Sequence, residues 1–451
     1  MLNAYGRMFS LIMTFGVMPP SPICAQDFQL QEQFPEGHTS KVEVRVKISG
    51  KLSVPSTEKG KPAQLVPLVG TSHGIYDERL LPPDDTDLIK TIRIYRTFEL
   101  ERTLGTVKQE ASLRPSVRRL VIIKSGERKA PFSPDGPLTW GEIDLIRAEV
   151  LNPALIPGLL PSQPVRVGAS WKVSAAAVQE LTDMEKIDEG DMTVEFVGLA
   201  RPAGQSLARL RLRGSVRGVN EDGPNRQQFD GTAYFDLQLQ MLTYLSLKGT
   251  KELLDGRGET VGIVEGHFTM TRSPLEKKPA ELSEASLRDL DLKPGPENTL
   301  LLYDNPDLGL RLLHPRGWRI GAVQGRQVTL DHARGAGLLL TVEPASQVPT
   351  AEDYLKEVTD YFEKQKATIT VLEKPTRIRA SPITLDRFAI EATVGKNPVR
   401  IEYAVLKQTD GGITVAATLP TDAKELRAEV DRIVRSLSVT KKIVAPAEPP
   451  K

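Results

Sequence analysis

Gly70-Thr71-Ser72-His73-Gly74 fits the G-x-S-x-G pattern of a nucleophile elbow, in which a serine on a strand-to-helix turn is activated by a histidine and an acid from later loops. The elbow needs an unbroken strand before the serine and a long helix after it. Pro67 interrupts Leu65-Val66-Pro67-Leu68-Val69, and Asp77, Glu78 and Pro82-Pro83 follow too soon for that helix. The segment therefore reads as a glycine-flanked turn between strands; a serine hydrolase using Ser72 is the rival reading. The five histidines, His38, His73, His267, His314 and His332, include no pair at the spacing of a helical metal site, so no zinc site is encoded locally. His267 shares strand parity with Glu265, as a surface pair would. Carboxylate groups such as Asp84-Asp85 and Asp188-Glu189-Asp191 fall in turn-like segments where nothing would raise a pKa. Dinucleotide fingerprints and phosphate-cradling loops are missing from the sequence, and no cofactor or metal is expected.

The remaining candidate is a ladder of cations. Arg209, Arg211, Arg213 and Arg217 share one parity in a period-two stretch and point the same way. Guanidinium groups buried unpaired cost several kcal/mol each, so this face must be solvated or neutralised. Asp191 and Glu195 on one side, and Asp230 and Asp236 on the other, offer cross-strand ion pairs; an anionic-ligand platform is the alternative. Arg118-Arg119, Arg128 and Lys129 read as solvated charge. Trp140, Trp171 and Trp318 stand beside structural punctuation and read as core anchors.

The elements that must position these residues follow from periodicity. Val42 to Val54, and Ile92 to Leu100, alternate apolar and charged residues as one-face-wet strands do, and Leu120-Val121-Ile122-Ile123 is a continuous apolar strand. Near 140–182 the period turns helical. Thr139 and Glu142 form a capping box ahead of Ile143 and Ile146, and a second helix runs from Ser174 through Leu181. Pro153, Pro157 and Pro161 cut the chain between them, leaving Leu155, Ile156, Leu159 and Leu160 as anchors at the edge of a core. Residues 191–272 hold five strands with short connections, an antiparallel meander. Residues 273–298 are Pro-rich and charged, the composition of a linker. Beyond them, short strands accompany two amphipathic helices, one capped by Thr350 and Asp353, the other running from Ala423 to Leu437. The expected fold class is α+β, with units at 27–272 and 299–440 and a disordered tail at 441–451.

A chain of 451 residues is too long for one ordinary domain. Lys and Arg (59) balance Asp and Glu (58), which removes the electrostatic argument for nucleic acid. Arg7 precedes the mostly apolar run Met8–Met18 and a Pro-rich break ending at Ala25, the order of a secretory signal peptide over 1–25. Cys24, the only cysteine, would leave with it, so a mature chain has no disulfide and no thiolate site. The mature protein is expected to be extracytoplasmic, periplasmic or secreted, and not membrane-spanning.

Tyr303-Asp304-Asn305-Pro306-Asp307-Leu308-Gly309-Leu310-Arg311-Leu312-Leu313-His314-Pro315-Arg316-Gly317-Trp318 resembles the opening of the PsbP-like family. The resemblance covers about 140 residues and implies an antiparallel-sheet α/β/α sandwich and an adaptor or binding role. Residues 27–272 resemble exported bacterial proteins of unknown function, and their meander is similar to the half-barrels of lipoprotein carriers. The sequence thus points to an exported, non-catalytic binding or assembly module whose partner is an envelope protein or an apolar ligand. A carrier of an apolar or lipid ligand within the β-rich domain is the alternative, distinguished by a large apolar cavity.

Overall fold

The computed structural model describes residues 26–34, 37–54, 63–81, 89–125, 128–147, 158–220, 223–380, 383–394, 397–420 and 423–443. The expected signal peptide, Leu155 and Ile156, and the tail beyond 443 lie outside them.

The N-terminal unit is one antiparallel sheet. Its first strands are β1 (Thr39–Val54), β2 (Gln64–Leu81), β3 (Ile89–Leu104), β4 (Val107–Ser112), β5 (Arg119–Ser125) and β6 (Arg128–Phe132). Two short helices, α1 (Trp140–Arg147) and α2 (Ala175–Thr182), flank β7 (Ser170–Lys172). The expected five-strand meander follows as β8 (Lys186–Ala200), β9 (Leu207–Asn220), β10 (Gly223–Asp236), β11 (Met241–Leu254) and β12 (Thr260–Pro274). β12 returns to pair with β1, giving the order β6-β5-β3-β2-β1-β12-β11-β10-β9-β8-β7, with β4 beside β3.

One face of this sheet carries the core. Val42, Val44, Tyr76, Phe98, Leu212, Leu245 and Met270 pack there with Ile143 and Ile146 of α1 and Val178 and Leu181 of α2. Both helices start where the sequence says. Thr139 and Glu142 exchange the two capping-box bonds, backbone N–H to side chain in each direction (2.8 and 3.2 Å). Ser174 accepts from the Ala177 N–H. Leu159 is buried as an anchor and Leu160 packs beside it.

The sequence misplaces three features. Gly70–Gly74 is not a turn: it lies inside β2, paired residue for residue with β1. Pro67 is tolerated there because its carbonyl faces Gly105, at the turn where β3 ends, so its missing N–H has no strand partner to lose. Residues 273–298 have a linker's composition but are packed. They extend β12, then form a turn of helix, α3 (Glu284–Leu287), and bury Leu282 and Leu287 against Ile92, Ile94, Val121, Ile123 and Phe132 on the sheet's outer face. The continuous apolar run at 120–123 follows: Leu120 and Ile122 face the core while Val121 and Ile123 face this strap. At the C-terminus, Ile443 packs onto the second core and its N–H bonds Asp410, so residues 441–443 belong to the fold.

The C-terminal unit has a three-stranded sheet, β13 (Leu301–Asn305), β14 (Leu310–His314) and, last in the chain, β22 (Ser438–Val439). Its seven-stranded sheet comprises β15 (Trp318–Gln324), β16 (Gln327–His332), β17 (Gly337–Glu343), β18 (Thr368–Ala380), β19 (Ile383–Val394), β20 (Asn397–Gln408) and β21 (Gly411–Leu419). α4 (Ala351–Lys364) and α5 (Lys424–Ser436) take opposite faces of it. Tyr354 and Leu355 of α4 pack with Phe388, Tyr403 and Val405, and Leu426 and Val430 of α5 with Ala404, Leu406 and Val415. Alternate residues of β20 thus serve different helices. β15 escaped the sequence reading, which stopped at the Pro315–Trp318 corner. The two units touch: Leu302 N–H donates to the Leu138 carbonyl (2.7 Å), and the Arg319 guanidinium lies 3.5 Å from the Trp140 ring centre.

Candidate functional site

The core face of the large sheet is not filled uniformly. In antiparallel register, Arg102 of β3 stands opposite Gly70, Gly70 opposite Ile48, Ile48 opposite Gly266, Gly266 opposite Gly249, Gly249 opposite Phe229, Phe229 opposite Gly214 and Gly214 opposite Met192. This row crosses eight strands and contains four glycines. Side-chain parity puts all of these positions on the face that carries the core. Centred on this row lies an open trough of about 770 Å³, lined also by Lys47, Val69, Arg213, Asp230, Lys248 and Glu265, whose side chains alternate to the outer face; its volume is within the ~300–1,000 Å³ range of small-molecule sites. Each of six strands lends it three consecutive residues, and the middle ones are Ile48, Gly70, Gly214, Phe229, Gly249 and Gly266. Of the four glycines only Gly266 has room for a side chain, with Ile48 Cγ2 4.0 Å from a Cβ there; a Cβ at Gly70, Gly214 or Gly249 would lie 3.0, 2.7 and 2.7 Å from Ile48, the Asp191 carbonyl and the Gln228 carbonyl.

The neighbouring row, two residues along every strand, shows the contrast. Leu100, Ser72, Val46, Phe268, Leu247, Gly231, Leu212 and Val194 stand opposite one another in order, and this row is packed into the core. Ser72 belongs to it: the side chain is 8% exposed, in mid-strand, with Val46 and Leu100 as cross-strand neighbours. His73 points to the opposite face, where its Nε2 lies 2.9 Å from Glu43. The strand-to-helix elbow that a Ser72 nucleophile requires is not formed.

Farther along the same face, toward the start of β1, the core closes on buried charge. Arg272 donates to Glu32 at 2.9 Å, and Arg93 to Glu78 at 2.9 Å. Burial pushes the Glu32 carboxyl up, opposed by Arg272 and by the Leu242 N–H it accepts. These pairs tie the N-terminal strap and β3 into the sheet. Arg114 grips Glu142 with two nitrogens, at 2.7 Å each. Burial alone would raise that carboxyl, but Arg114 and the N–H groups of Thr139 and Arg114 outweigh it and hold Glu142 below the usual range.

The arginine ladder lies on the outer face, as its parity requires. Arg213 meets Asp230 at 3.0 Å, Arg217 meets Glu189 at 3.4 Å and Arg211 meets Glu195 at 3.8 Å. Of the other expected acids, Asp191 pairs with Lys172 and Asp236 caps the turn at Gln238 and Leu239. Arg209 has no acidic partner among the described residues; Gly198 and Tyr234 are opposite it. His267 bonds Ser246 (3.0 Å) instead of Glu265. Trp318 is fully buried, its Nε1 donating to Glu429 at 2.8 Å. Among the described residues no group of three His, Cys, Asp or Glu side chains could hold a metal, and no helix is long and apolar enough to cross a membrane.

No family matches the sequence, and no curated protein does. Among solved structures, cyanobacterial PsbP from Synechocystis is similar over 31% of this chain and 92% of its own, at 15% identity and a TM-score of 0.26. Lipovitellin is similar over 55% of this chain and 26% of its own, at 9% identity and a TM-score of 0.32. DynF from the dynemicin pathway of Micromonospora chersina is similar over 58% and 92%, at 8% identity and a TM-score of 0.15. These are likenesses of fold alone, and the PsbP-like one is a structural resemblance of part of the chain.

Proposed function

We propose that this is an exported, non-catalytic binding protein whose N-terminal sheet carries an elongated apolar ligand in the glycine-floored trough. The observation that carries the reading is the cavity itself: an open trough of about 770 Å³ that spans six strands, with Ile48, Phe229 and four glycines along its middle. Export rests on the order of Arg7, the apolar run and Ala25.

Gly266 gives the test. A Cβ there would meet nothing nearer than Ile48 Cγ2 at 4.0 Å, so Gly266→Leu fills the trough without displacing backbone. Protein purified from its own envelope fraction, extracted with organic solvent and analysed by mass spectrometry, should yield a stoichiometric lipid-like species from the wild type and little from Gly266→Leu. An equal yield from both, or none from either, overturns the reading.

A second reading, a docking face for an envelope protein, is favoured by one observation. On the outer face Leu65, Val69 and Ile263 are 65%, 58% and 46% exposed, and Leu65 and Ile263 border a hollow of about 410 Å³. A partner captured by the wild type but not by Leu65→Asp or Ile263→Asp would establish it; identical captures would remove it.

A further inference from the structure

We infer that His314 is a proton-operated catch in the joint between the two units, which is closed while the ring is neutral and parts when the ring takes a proton. The joint is built around β13. Leu301 forms a parallel bridge with Leu138, and both are buried in the core of the large sheet. The Leu302 N–H bonds the Leu138 carbonyl, Arg316 donates to the carbonyls of Pro131 on β6 and Thr299 ahead of β13, and Arg319 covers Trp140. His314 is the register partner of Leu301, so the two share one face of the small sheet. It therefore stands where the C-terminal unit enters its neighbour's core. Among the described buried residues Leu301 is the one C-terminal member of that core, and the rest of the C-terminal unit packs in cores of its own. The joint can part without unfolding either side.

The ring has no place for a second proton. It is 1% exposed. A carbonyl oxygen only accepts, so the 3.0 Å contact between Nδ1 and the Pro315 carbonyl fixes the ring proton on Nδ1. Nε2 is then a bare acceptor, buried and without a hydrogen-bond partner among the described residues. Protonation would put an N–H and a full charge there, unpaired and away from water. The acids on the surrounding elements are engaged elsewhere: Glu142 of α1 by Arg114, Asp304 of β13 by Arg311, and Glu429 of α5 by the Trp318 N–H. The other charged neighbours, Arg316 and Arg319, are cations. Burial, aided by Arg319, holds the ring below the ordinary histidine range against the Pro315 bond, which raises it. Such a ring binds its proton more tightly once released into water, so falling pH favours the parted joint.

Small-angle X-ray scattering and far-UV circular dichroism of the full-length protein, followed from neutral pH into mild acid, test this on wild type, His314→Gln, His314→Phe and the outer-face control His73→Gln. One proton taken up on parting makes the open-to-closed ratio rise about tenfold for each pH unit below about 6.5, until the lowered pKa of the closed joint is passed. The wild type and His73→Gln should therefore expand in acid at constant dichroism. His314→Gln and His314→Phe, which cannot titrate, should stay compact over the same range. A wild type that stays compact, an expansion that persists in both His314 variants, or one accompanied by loss of dichroism overturns the inference, and each leaves the carrier reading standing.

Discussion

Two adjacent register rows of one sheet, built on the same strands, have opposite fates. In the row of Leu100, Val46, Phe268, Leu247 and Leu212, side chains meet the core that includes α1 and α2; one step along, Gly70, Gly266, Gly249 and Gly214 carry no side chain and the row borders the trough. Strand pairing is indifferent to the change, since the ladder of backbone hydrogen bonds continues through both. The comparison teaches that a sheet can keep its stability in one row and place a cavity in the next, because packing is local and pairing is not.

The largest test of that contrast is a pair of truncations. Phe268→Ala, in the packed row, should cost about 3–5 kcal/mol in denaturant unfolding, whereas Phe229→Ala at the trough should cost about half of that or less. Equal losses would mean that the trough row is as well packed as its neighbour.

Gly231 of the packed row and Gly266 of the trough row should respond in opposite ways. A side chain at Gly231 would run into Leu247 Cδ2 at 2.5 Å and the Ser246 carbonyl at 2.6 Å, so Gly231→Leu should destabilise by about 1–3 kcal/mol. Gly266→Leu should change stability by no more than about 0.5 kcal/mol in either direction. Thermal melts of both variants compare them directly.

Helix α1, which belongs to the packed core, depends on Glu142. Glu142→Gln should cost about 1–2 kcal/mol at neutral pH. Because the Glu142 carboxyl is held below the range it has when unfolded, its contribution is complete above the ordinary carboxylate pKa and is lost as pH falls through its lowered value. The difference between wild type and variant should therefore shrink in acid; a difference that grew there would contradict the assignment.

Smallest of all, Arg213→Gln on the wet outer face should alter stability by less than about 0.5 kcal/mol, as exposed ion pairs do. A larger loss would show that the outer face carries more than solvated charge.

Much of this architecture is legible in local sequence. Alternation marks the meander from β8 to β12, and Thr139 with Glu142, Ser174, and Thr350 with Asp353 mark three helix starts, because these signals lie within four residues of one another. The trough is not legible that way. Its glycines are scattered from position 70 to position 266, and each is an ordinary glycine in a strand until register aligns them. The same distance hides the buried Arg272–Glu32 pair, and it explains the misreading at Gly70–Gly74, whose glycines suggest a turn and serve instead as floor and as close-packing sites against Ile48, Val44 and Phe98.

Titration of the protein with a neutral apolar fluorophore such as N-phenylnaphthylamine, in wild type, Gly266→Leu and the exposed outer-face control Thr271→Leu, which lies outside the trough, tests the carrier reading most directly. Saturable one-to-one binding by wild type and control, weakened at least about tenfold by Gly266→Leu at an unchanged melting temperature, is the expected result. Absence of saturable binding, or equal affinity in all three proteins, would contradict it.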